Sequence, residues 1–533
     1  MKLDYKKLQN GSDIRGVAIE GVAGETLNLG AEEAYRLTAA FVLWLSEKLK
    51  KDPAKLCISV GRDSRISGPE LQKTIMDTLV RLGVNTLDCG MASTPAMFMS
   101  TVFPEYRCDG AIMVTASHLP YNRNGFKYFD KDGGLNKGDI STIISYAQSD
   151  GLIEGIKSEG VGFDFGNEGL PRKPQVIKAS LIDTYCDNLR KMIIDQVCCN
   201  SSGNKIGGSD NNCDENPRPL EGLKIVVDAG NGAGGFYAEK ILAPLGADVS
   251  ASQFLEPDGT FPNHQPNPEN KAAMDSICKA VLDSKADLGI IFDTDVDRSS
   301  AVDKNGHEIS RNGIVAMASA LVADTHPSTT IVTDSVTSDE LTDFLENKLG
   351  LKHLRYKRGY KNVINKALEL NAEGTDCQLA IETSGHAALK ENYFLDDGAY
   401  LATKIVIKAA KLKSQGLGIE TILSDLREPK EAMEKRYPIT AKEFGEYGEG
   451  VLEKLKRWAV DKEEALGLSL VEPNYEGVRI NFDSEATKGW CLLRKSLHDP
   501  IMPLNVEVSR GECKDILKLI EEFLSEFEEL EVK

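Results

Sequence analysis

The chain of 533 residues lacks any apolar run long enough to cross a membrane. Its greasiest stretch, Leu37 to Leu45, is closed by Arg36 on one side and Glu47 on the other, well short of the roughly 18 uninterrupted apolar residues a spanning helix needs. Positive charge is also scarce. With 63 basic against 82 acidic residues the formal net charge is -19, which argues against nucleic acid or an anionic membrane as partner. An anionic substrate would need a local basic pocket. Met1 to Gly16 has no apolar signal core and is too acidic and too poor in serine for a transit peptide. The expected compartment is the cytoplasm, or an organelle stroma if a leader is missing from this chain. The 11 cysteines are odd in number and scattered, the pattern of reduced thiols rather than of a disulfide framework. Cys198, Cys199 and Cys213 cluster without a neighbouring His or paired C-x-x-C spacing, which speaks against zinc. Asn200-Ser201-Ser202 fits a glycosylation acceptor, but no secretory signal accompanies it.

What is present is ordinary globular composition, 41% apolar and 27% charged, at a length that predicts three or four domains. A short apolar run, a polar or Gly-rich loop and a helical period recur along the chain. The runs are Leu56 to Val60, Gly110 to Val114, Lys224 to Val227, Leu288 to Phe292, Thr330 to Thr333 and Gln378 to Ile381. Such alternation predicts an α/β fold of mixed sheets, with ligands gathered where loops leave the carboxyl ends of strands. Boundaries are expected near residues 172, 309 and 429, giving segments 1–172, 173–309, 310–429 and a helix-rich 430–533. The polar segment Val197 to Gly222 reads as a surface insertion. The acidic end, EEFLSEFEELEVK, reads as a terminal amphipathic helix.

The unusual residues sit in the loops. Ser117 and His118 directly follow the run Gly110 to Val114, with Lys127 ten residues on. A serine there becomes a phosphoryl carrier only if something activates or charges it. Asp293, Asp295 and Asp297 alternate after a buried run, so on an extended loop their carboxylates face one side and suit Mg²⁺. The same loop opens like D-x-D-x-[TV], the aspartyl-nucleophile pattern of haloacid-dehalogenase-like phosphatases, in which Asp293 would be phosphorylated. Glu382, Ser384 and His386 offer a carboxylate, a hydroxyl and an imidazole suited to sugar hydroxyls. Arg494 and Ser496 group the donors that hold a phosphate. The run Gly230 to Gly235 fits G-x-G-x-x-G, yet its mid-chain setting favours a tight strand-to-helix turn over a dinucleotide site. Arg62 and Arg65 fit a positive pocket and structural pairing with Asp63 equally well.

Taken together, these loops resemble those of the α-D-phosphohexomutase superfamily, the phosphoglucomutases and phosphomannomutases, in the family's order and over essentially the whole chain. T-A-S-H-L-P at 115–120 is similar to the family's phosphoserine loop, D-T-D-V-D-R at 293–298 to its metal loop and E-T-S-G-H at 382–386 to its sugar loop. R-K-S at 494–496 is similar to its phosphate loop. D-I-R-G at 13–16, N-G-F-K at 124–127 and Arg358-Gly359-Tyr360 resemble further family segments. The resemblance implies four domains around a central cleft, three similar α/β domains and a smaller C-terminal α+β one. It makes Ser117 the phosphoserine and, with Asp293, Asp295 and Asp297, the holder of Mg²⁺. Glu382, Ser384, His386 and Gly359 would read the sugar, Arg494, Ser496 and Arg298 the phosphates, and Arg15, Lys127 and His118 would stand near the reacting hydroxyl. Four departures bear on substrate fit: Leu119 for Asn, Thr294 for Gly, Ile381 for Gly, and His498-Asp499 for Thr-Glu.

The implied reaction interconverts hexose 1-phosphate and hexose 6-phosphate, glucose before mannose, through a hexose 1,6-bisphosphate. Sugar phosphates are the expected partners, and a monomer or weak dimer the expected assembly. Arg15, Arg62, Arg65, Lys127, Arg298, Arg358, Lys361 and Arg494 should then line one positive cleft. Lys127 is the expected general base, its pKa lowered by neighbouring cations. Two alternatives stay open: an aspartyl phosphatase or mutase using Asp293, and a non-catalytic sugar-phosphate-binding regulator.

Overall fold

The computed structural model describes residues 4–151, 175–198, 217–496 and 499–532. The chain divides into two units, Met1–Ile314 with Ser384–Thr421, and Val315–Thr383 with Ile422–Lys533.

In the first unit one sheet contains β1 (Gln9–Asn10), β2 (Asp13–Val17), β3 (Cys57–Arg62), β4 (Asn85–Met91), β5 (Gly110–Val114), β6 (Arg123–Asp130), β7 (Gly133–Gly134) and β8 (Val176–Lys178). Their order is β1-β2-β6-β5-β3-β4-β8, with β7 paired to β6. β3 runs parallel to β4 and β5, and β6 turns back antiparallel between β5 and β2. All five residues of β5 are buried, as a strand covered on both faces requires. Helix Ala31–Leu49 covers the sheet with Ala34, Leu37, Thr38, Phe41, Val42 and Leu45, a stripe at helical spacing. It comes so close that a Cβ on Gly110 would lie 2.9 Å from Leu45 and 3.1 Å from Phe41. The helix starts where Glu33 accepts from the Gly30 amide at 2.9 Å.

A second sheet has the order β12-β11-β10-β9, from β9 (Ile225–Asp228), β10 (Leu288–Phe292), β11 (Ser299–Asp303) and β12 (Glu308–Ile309). β9 and β10 are parallel, and the remaining pairs antiparallel. The glycine run after β9 is a tight turn into the π-helical segment Tyr237–Leu242. Cβ atoms on Gly232 and Gly235 would lie 2.7 and 2.4 Å from the carbonyls of Thr294 and Leu255, so these glycines serve close backbone packing.

In the second unit, β13 (Thr330–Thr333) lies between parallel β14 (Lys352–Arg355) and β15 (Cys377–Ile381). The hairpin of β16 (Ala387–Leu389) and β17 (Leu395–Asp396) belongs to the first unit. The C-terminal region is a correction to the helix-rich expectation. β18 (Glu431–Pro438), β19 (Leu468–Leu470), β20 (Val478–Asp483), β21 (Lys488–Leu493) and β22 (Ile501–Arg510) form an antiparallel sheet of order β18-β22-β21-β20-β19. β18 hides from a sequence reading because only Tyr437 of its eight residues is fully buried. Helices Phe444–Leu466 and Cys513–Leu524 pack on this sheet, the second through Ile516, Ile520, Phe523 and Leu524. The acidic tail is helical only to Leu524, and Leu530 then pairs with Ile439 as an isolated bridge.

The element order is therefore α/β segments followed by a smaller α+β region, as expected. The boundary near 172, the cysteines 199 and 213, Asn200-Ser201-Ser202 and most of the 197–222 insertion lie outside the described residues. Just past that boundary, β8 pairs with β4. No described helix is long and apolar enough to cross a membrane.

Candidate active site

Ser117 follows β5 in a left-handed conformation, φ +49°, and is 7% exposed. A non-glycine residue held there carries strain that only surrounding contacts maintain. Its amide donates to Thr115 Oγ1 at 2.9 Å, and Thr115 donates to Asp63 Oδ2 at 2.7 Å. Arg65 clamps the rest of the loop. Its guanidinium donates to the carbonyls of Ser117, Leu119, Pro120 and Arg123, and its Nε lies 3.3 Å from Asp63. Since the Arg65 side chain is fully buried, it holds the serine loop and does not line a substrate pocket. Arg15 reaches the same loop from β2, donating to Thr115 O at 2.5 Å and to Asp13 at 2.8 Å. Between them Gly125 is obligatory: a Cβ there would stand 2.0 Å from Ile14 O and 2.9 Å from Thr115 O.

The Ser117 hydroxyl donates to Asp293 Oδ2 at 2.8 Å and accepts from Arg298 Nη2 at 3.2 Å, with His118 Nδ1 at 3.3 Å. Arg298, 1% exposed, also donates to Asp293 Oδ2 from Nε and Nη2, at 3.1 and 3.0 Å. Oxygens of Asp293, Asp295 and Asp297 lie within 4.8 Å of one another, all buried. The loop carrying them is a turn and not the extended segment expected from alternation, because Val296 sits at φ +65°. That position is strained for a β-branched residue. Val296 O is tied to the Gly398 amide at 3.1 Å, and a Cβ on Gly398 would collide with the Arg298 backbone at 2.6 Å. Thr94 holds Asp295 through both its hydroxyl and its amide.

Asp295 Oδ1 and Asp297 Oδ1 are buried without a hydrogen bond, with His386 Nε2 3.7 Å and Arg298 Nε 3.9 Å from the latter. Burial and repulsion from Asp297 push the Asp293 carboxyl well up, whereas Asp297, despite burial, is held well down by Lys127 and His386. Three clustered carboxylates, two of them with a spare oxygen, fit a hard divalent cation.

Lys127 reverses the expectation made for it. Its ammonium bonds Asp297 and lies 3.2 Å from Asp295, and although burial works against the charge, these carboxylates hold its pKa well above the usual value. Carboxylates dominate its surroundings, with Arg15 the cation acting on it, where several cations were expected. His118 is pushed down to about 2 by burial and by Arg298, His386 and Arg15, and is neutral. Ser384 and His386 join this cluster: Ser384 Oγ lies 3.0 Å from His386 Nδ1, and Arg298 and His386 form a backbone bridge.

Glu382, Gly359, Arg494 and Ser496 belong to the second unit. Glu382 accepts from the Gly359 amide at 2.7 Å, and Gly359 needs its positive φ of +112°. Asp334, at the end of β13, accepts from Thr383 Oγ1 at 2.8 Å and faces Arg358 at 3.5 Å; burial raises it to about 7 against the pull of Arg358. Arg494 is 9% exposed, and its Nε is buried without a hydrogen bond. Burial and the nearby Arg358 charge lower its pKa, and its carboxylate neighbour Glu434 is 3.6 Å away. A buried guanidinium with a spare donor beside a second arginine fits an anion. Lys495 turns aside to Glu449 at 2.7 Å. Ser496 Oγ accepts from the Asp499 amide at 3.2 Å; His498 lies outside the described residues.

Comparison with known proteins decides the family. Sequence models of phosphoglucomutase/phosphomannomutase α/β/α domains I, II and III match residues 6–151, 207–306 and 311–427 in turn. The chain belongs to the phosphoglucomutase/phosphomannomutase family. A phosphomannomutase/phosphoglucomutase of Pseudomonas syringae is 29% identical over 92% of this chain and 90% of its own. A phosphoglucomutase of Neisseria gonorrhoeae is 28% identical over 92% and 91%. A solved family structure from Burkholderia thailandensis superposes with TM-score 0.68 at 25% identity, covering 97% of this chain and 95% of that one. As a member of this family the protein is a phosphotransferase of the mutase kind, acting on hexose phosphates.

Within the family frame, the aspartyl-nucleophile pattern fails at its fifth position, where Asp297 replaces Thr or Val. The sequence reading also missed residues. Besides Thr94, the segment Glu256–Pro268 carries a buttress: His264 Nε2 lies 3.0 Å from both Asp228 oxygens, and Nδ1 lies 3.0 Å from Gln265 O. A carbonyl only accepts, so Nδ1 carries a hydrogen, and Nε2 faces a carboxylate that favours the doubly protonated ring. Although burial opposes the charge, Asp228 raises its pKa. From this anchor Gln265 donates to His118 O at 2.6 Å and Asn267 accepts from Arg298 at 3.3 Å. The signal was available in FPNHQPNP, a proline-punctuated polar loop between strands.

Proposed function

We propose that the protein interconverts hexose 1-phosphate and hexose 6-phosphate, glucose first and mannose second, with Ser117 as phosphoryl carrier and hexose 1,6-bisphosphate as intermediate. The observation that carries this reading is the Ser117 hydroxyl 2.8 Å from Asp293, beside carboxylates with spare buried oxygens. In the forward step the phosphorus–oxygen bond to Ser117 breaks as a bond to the sugar hydroxyl forms, and that hydroxyl loses its proton. Such transfer relies on alignment and on neutralising charge over the phosphoryl oxygens. Arg298 and Lys127, both buried and charged, donate to those oxygens. His118, 3.3 Å from the serine oxygen, would take the proton and return it, its basicity restored by the negative charge of the transferring phosphoryl group beside it. Arg15 and Arg65 keep the serine loop in its strained position.

Asp293, Asp295 and Asp297, with the Ser117 oxygen, would hold Mg²⁺, which when bound supplies further charge neutralisation at the transferring group. Arg494, with its spare Nε and Ser496 beside it, would grip the phosphate that is not reacting. Glu382, Ser384 and His386 would read the sugar hydroxyls, with Gly359 fixing Glu382. For a mutase the bisphosphate must turn over, so each phosphate meets Ser117 in turn. A coupled assay on glucose, mannose and N-acetylglucosamine 1-phosphates, with added hexose bisphosphate, tests this. Turnover of glucose 1-phosphate fastest supports the proposal, and no turnover of any sugar would restore the regulatory alternative.

A further inference from the structure

Away from the active site, at the opposite end of β3 and β5, two thiols face each other. The strands are parallel with Ile58 opposite Gly110, which sets Cys57 beside the residues entering β5. The Asp109 amide donates to Cys57 O at 2.8 Å and Asp109 Oδ2 accepts from the Cys57 amide at 2.9 Å, fixing both backbones. In this frame Cys57 Sγ lies 3.8 Å from Cys108 Sγ. The two are not equivalent. Cys57 is partly exposed, while Cys108 is 3% exposed, with its amide bonded to Ser100 O at 3.0 Å. Lys51 stands over the pair, its ammonium 2.6 Å from Asp109 Oδ2.

We propose that Cys57 and Cys108 form a reversible dithiol–disulfide site, Cys57 attacking first and Cys108 resolving. The oxidant is a low-molecular-weight disulfide of the glutathione class. The Cys57 thiolate attacks one sulfur of that disulfide, its sulfur–sulfur bond breaks, and one thiol leaves with a mixed disulfide on Cys57. Cys108 sulfur then attacks the Cys57 sulfur, the mixed bond breaks, and the second thiol leaves. Two protein thiols are oxidised and one disulfide is reduced to two thiols, with the two protons passing to the departing thiolates. Exposure selects the attacking sulfur and burial keeps its partner within reach. The hydrogen bond from Cys108 lowers the Cys57 thiol against burial, with help from Lys51, while that same contact and burial raise Cys108. A low-pKa thiol with a resolving neighbour is the arrangement that exchanges. Cys108 and Ser117 lie beyond opposite ends of β5, with the five residues of that strand, about 16 Å at about 3.3 Å per residue, between them.

The test uses the full-length reduced protein, treated with oxidised glutathione, quenched with N-ethylmaleimide and mapped by peptide mass spectrometry. The expected result is a Cys57–Cys108 cross-linked peptide, two hydrogens lighter, that dithiothreitol reverses. Cys108→Ala should instead trap the glutathione adduct on Cys57, and Cys57→Ala should leave Cys108 reduced and alkylated after unfolding. Recovery of both residues as alkylated peptides from the wild type, or a glutathione adduct on Cys57 with no cross-link, would overturn the proposal.

Discussion

The loops around Ser117 and the loops around Arg494 both leave buried polar atoms without partners, but of opposite kind. Among the carboxylates beside Ser117 the spare atoms are acceptors, Asp295 Oδ1 and Asp297 Oδ1; on Arg494 the spare atom is a donor, its Nε. Unsatisfied buried groups are costly, so each set suits a ligand of complementary sign, the first a cation and the second an anion. The surroundings differ too. Around Ser117 the backbone is strained at two non-glycine residues, Ser117 and Val296, whereas residues 491–496 carry no positive φ; a glycine that tolerates no Cβ packs against each loop, Gly125 at Thr115 and Gly477 at Leu493 and Arg494. Strain marks the side of the chemistry, which is the over-determined one. The departures from the family pattern follow this division only in part, since Leu119 and Thr294 sit beside the chemistry.

The comparison breaks most severely at Ser117. Ser117→Ala should leave a folded protein with mutase activity lower by about four orders of magnitude or more, since the carrier is gone. A steady-state coupled assay beside circular dichroism checks it, and substantial residual turnover would move the carrier elsewhere. Next comes the cation. EDTA should abolish activity and Mg²⁺ restore it, and Asp295→Asn should raise the Mg²⁺ needed for half-maximal rate. Activity that persists in chelator would remove the acceptor half of the comparison.

Arg65→Ala tests the over-determination directly. Removing a buried guanidinium that satisfies four carbonyls should cost about 3–5 kcal/mol of stability, read by urea unfolding. A loss under about 1 kcal/mol would show that the serine loop holds itself. On the recognition side, Arg494→Lys keeps the charge but loses the planar fork. It should cost about 1.5–3 kcal/mol, or about tenfold to a hundredfold in kcat/KM, for the 1-phosphate and the 6-phosphate alike. An unchanged kcat/KM for both would place the phosphate elsewhere.

The smallest effect is at His264. Its folded pKa is raised above the unfolded value, so its contribution to stability is complete below about pH 6.5 and fades as pH rises through the folded pKa. The Tm of the wild type should therefore carry a downward component over that window that His264→Asn lacks. Identical pH profiles for the two proteins would show that the Asp228 contact stays neutral.

The strands were legible wherever burial on both faces produced an unbroken apolar run: Gly110 to Val114, Leu288 to Phe292 and Thr330 to Thr333 match the observed strands residue for residue. The loops were legible because their chemistry is local, with a serine and a histidine adjacent and three carboxylates within five residues. What escaped depends on partners far along the chain. Arg65 meets Ser117 across 52 residues, Lys127 meets Asp297 across 170, and Thr94 meets Asp295 across 201. No local pattern announces such pairs, so the carboxylates that dominate around Lys127 were not foreseen. β18 escaped for the opposite reason, since its outward charges mask a strand that pairs along its whole length with β22.

The central claim is that Ser117, and not Asp293, carries the phosphoryl group. Intact-mass analysis of the purified wild type, followed by peptide mapping before and after hydroxylamine, tests it most directly. The account predicts one phosphate on the peptide containing Ser117, resistant to hydroxylamine and absent from Ser117→Ala. A hydroxylamine-labile phosphate on the peptide containing Asp293 would contradict it.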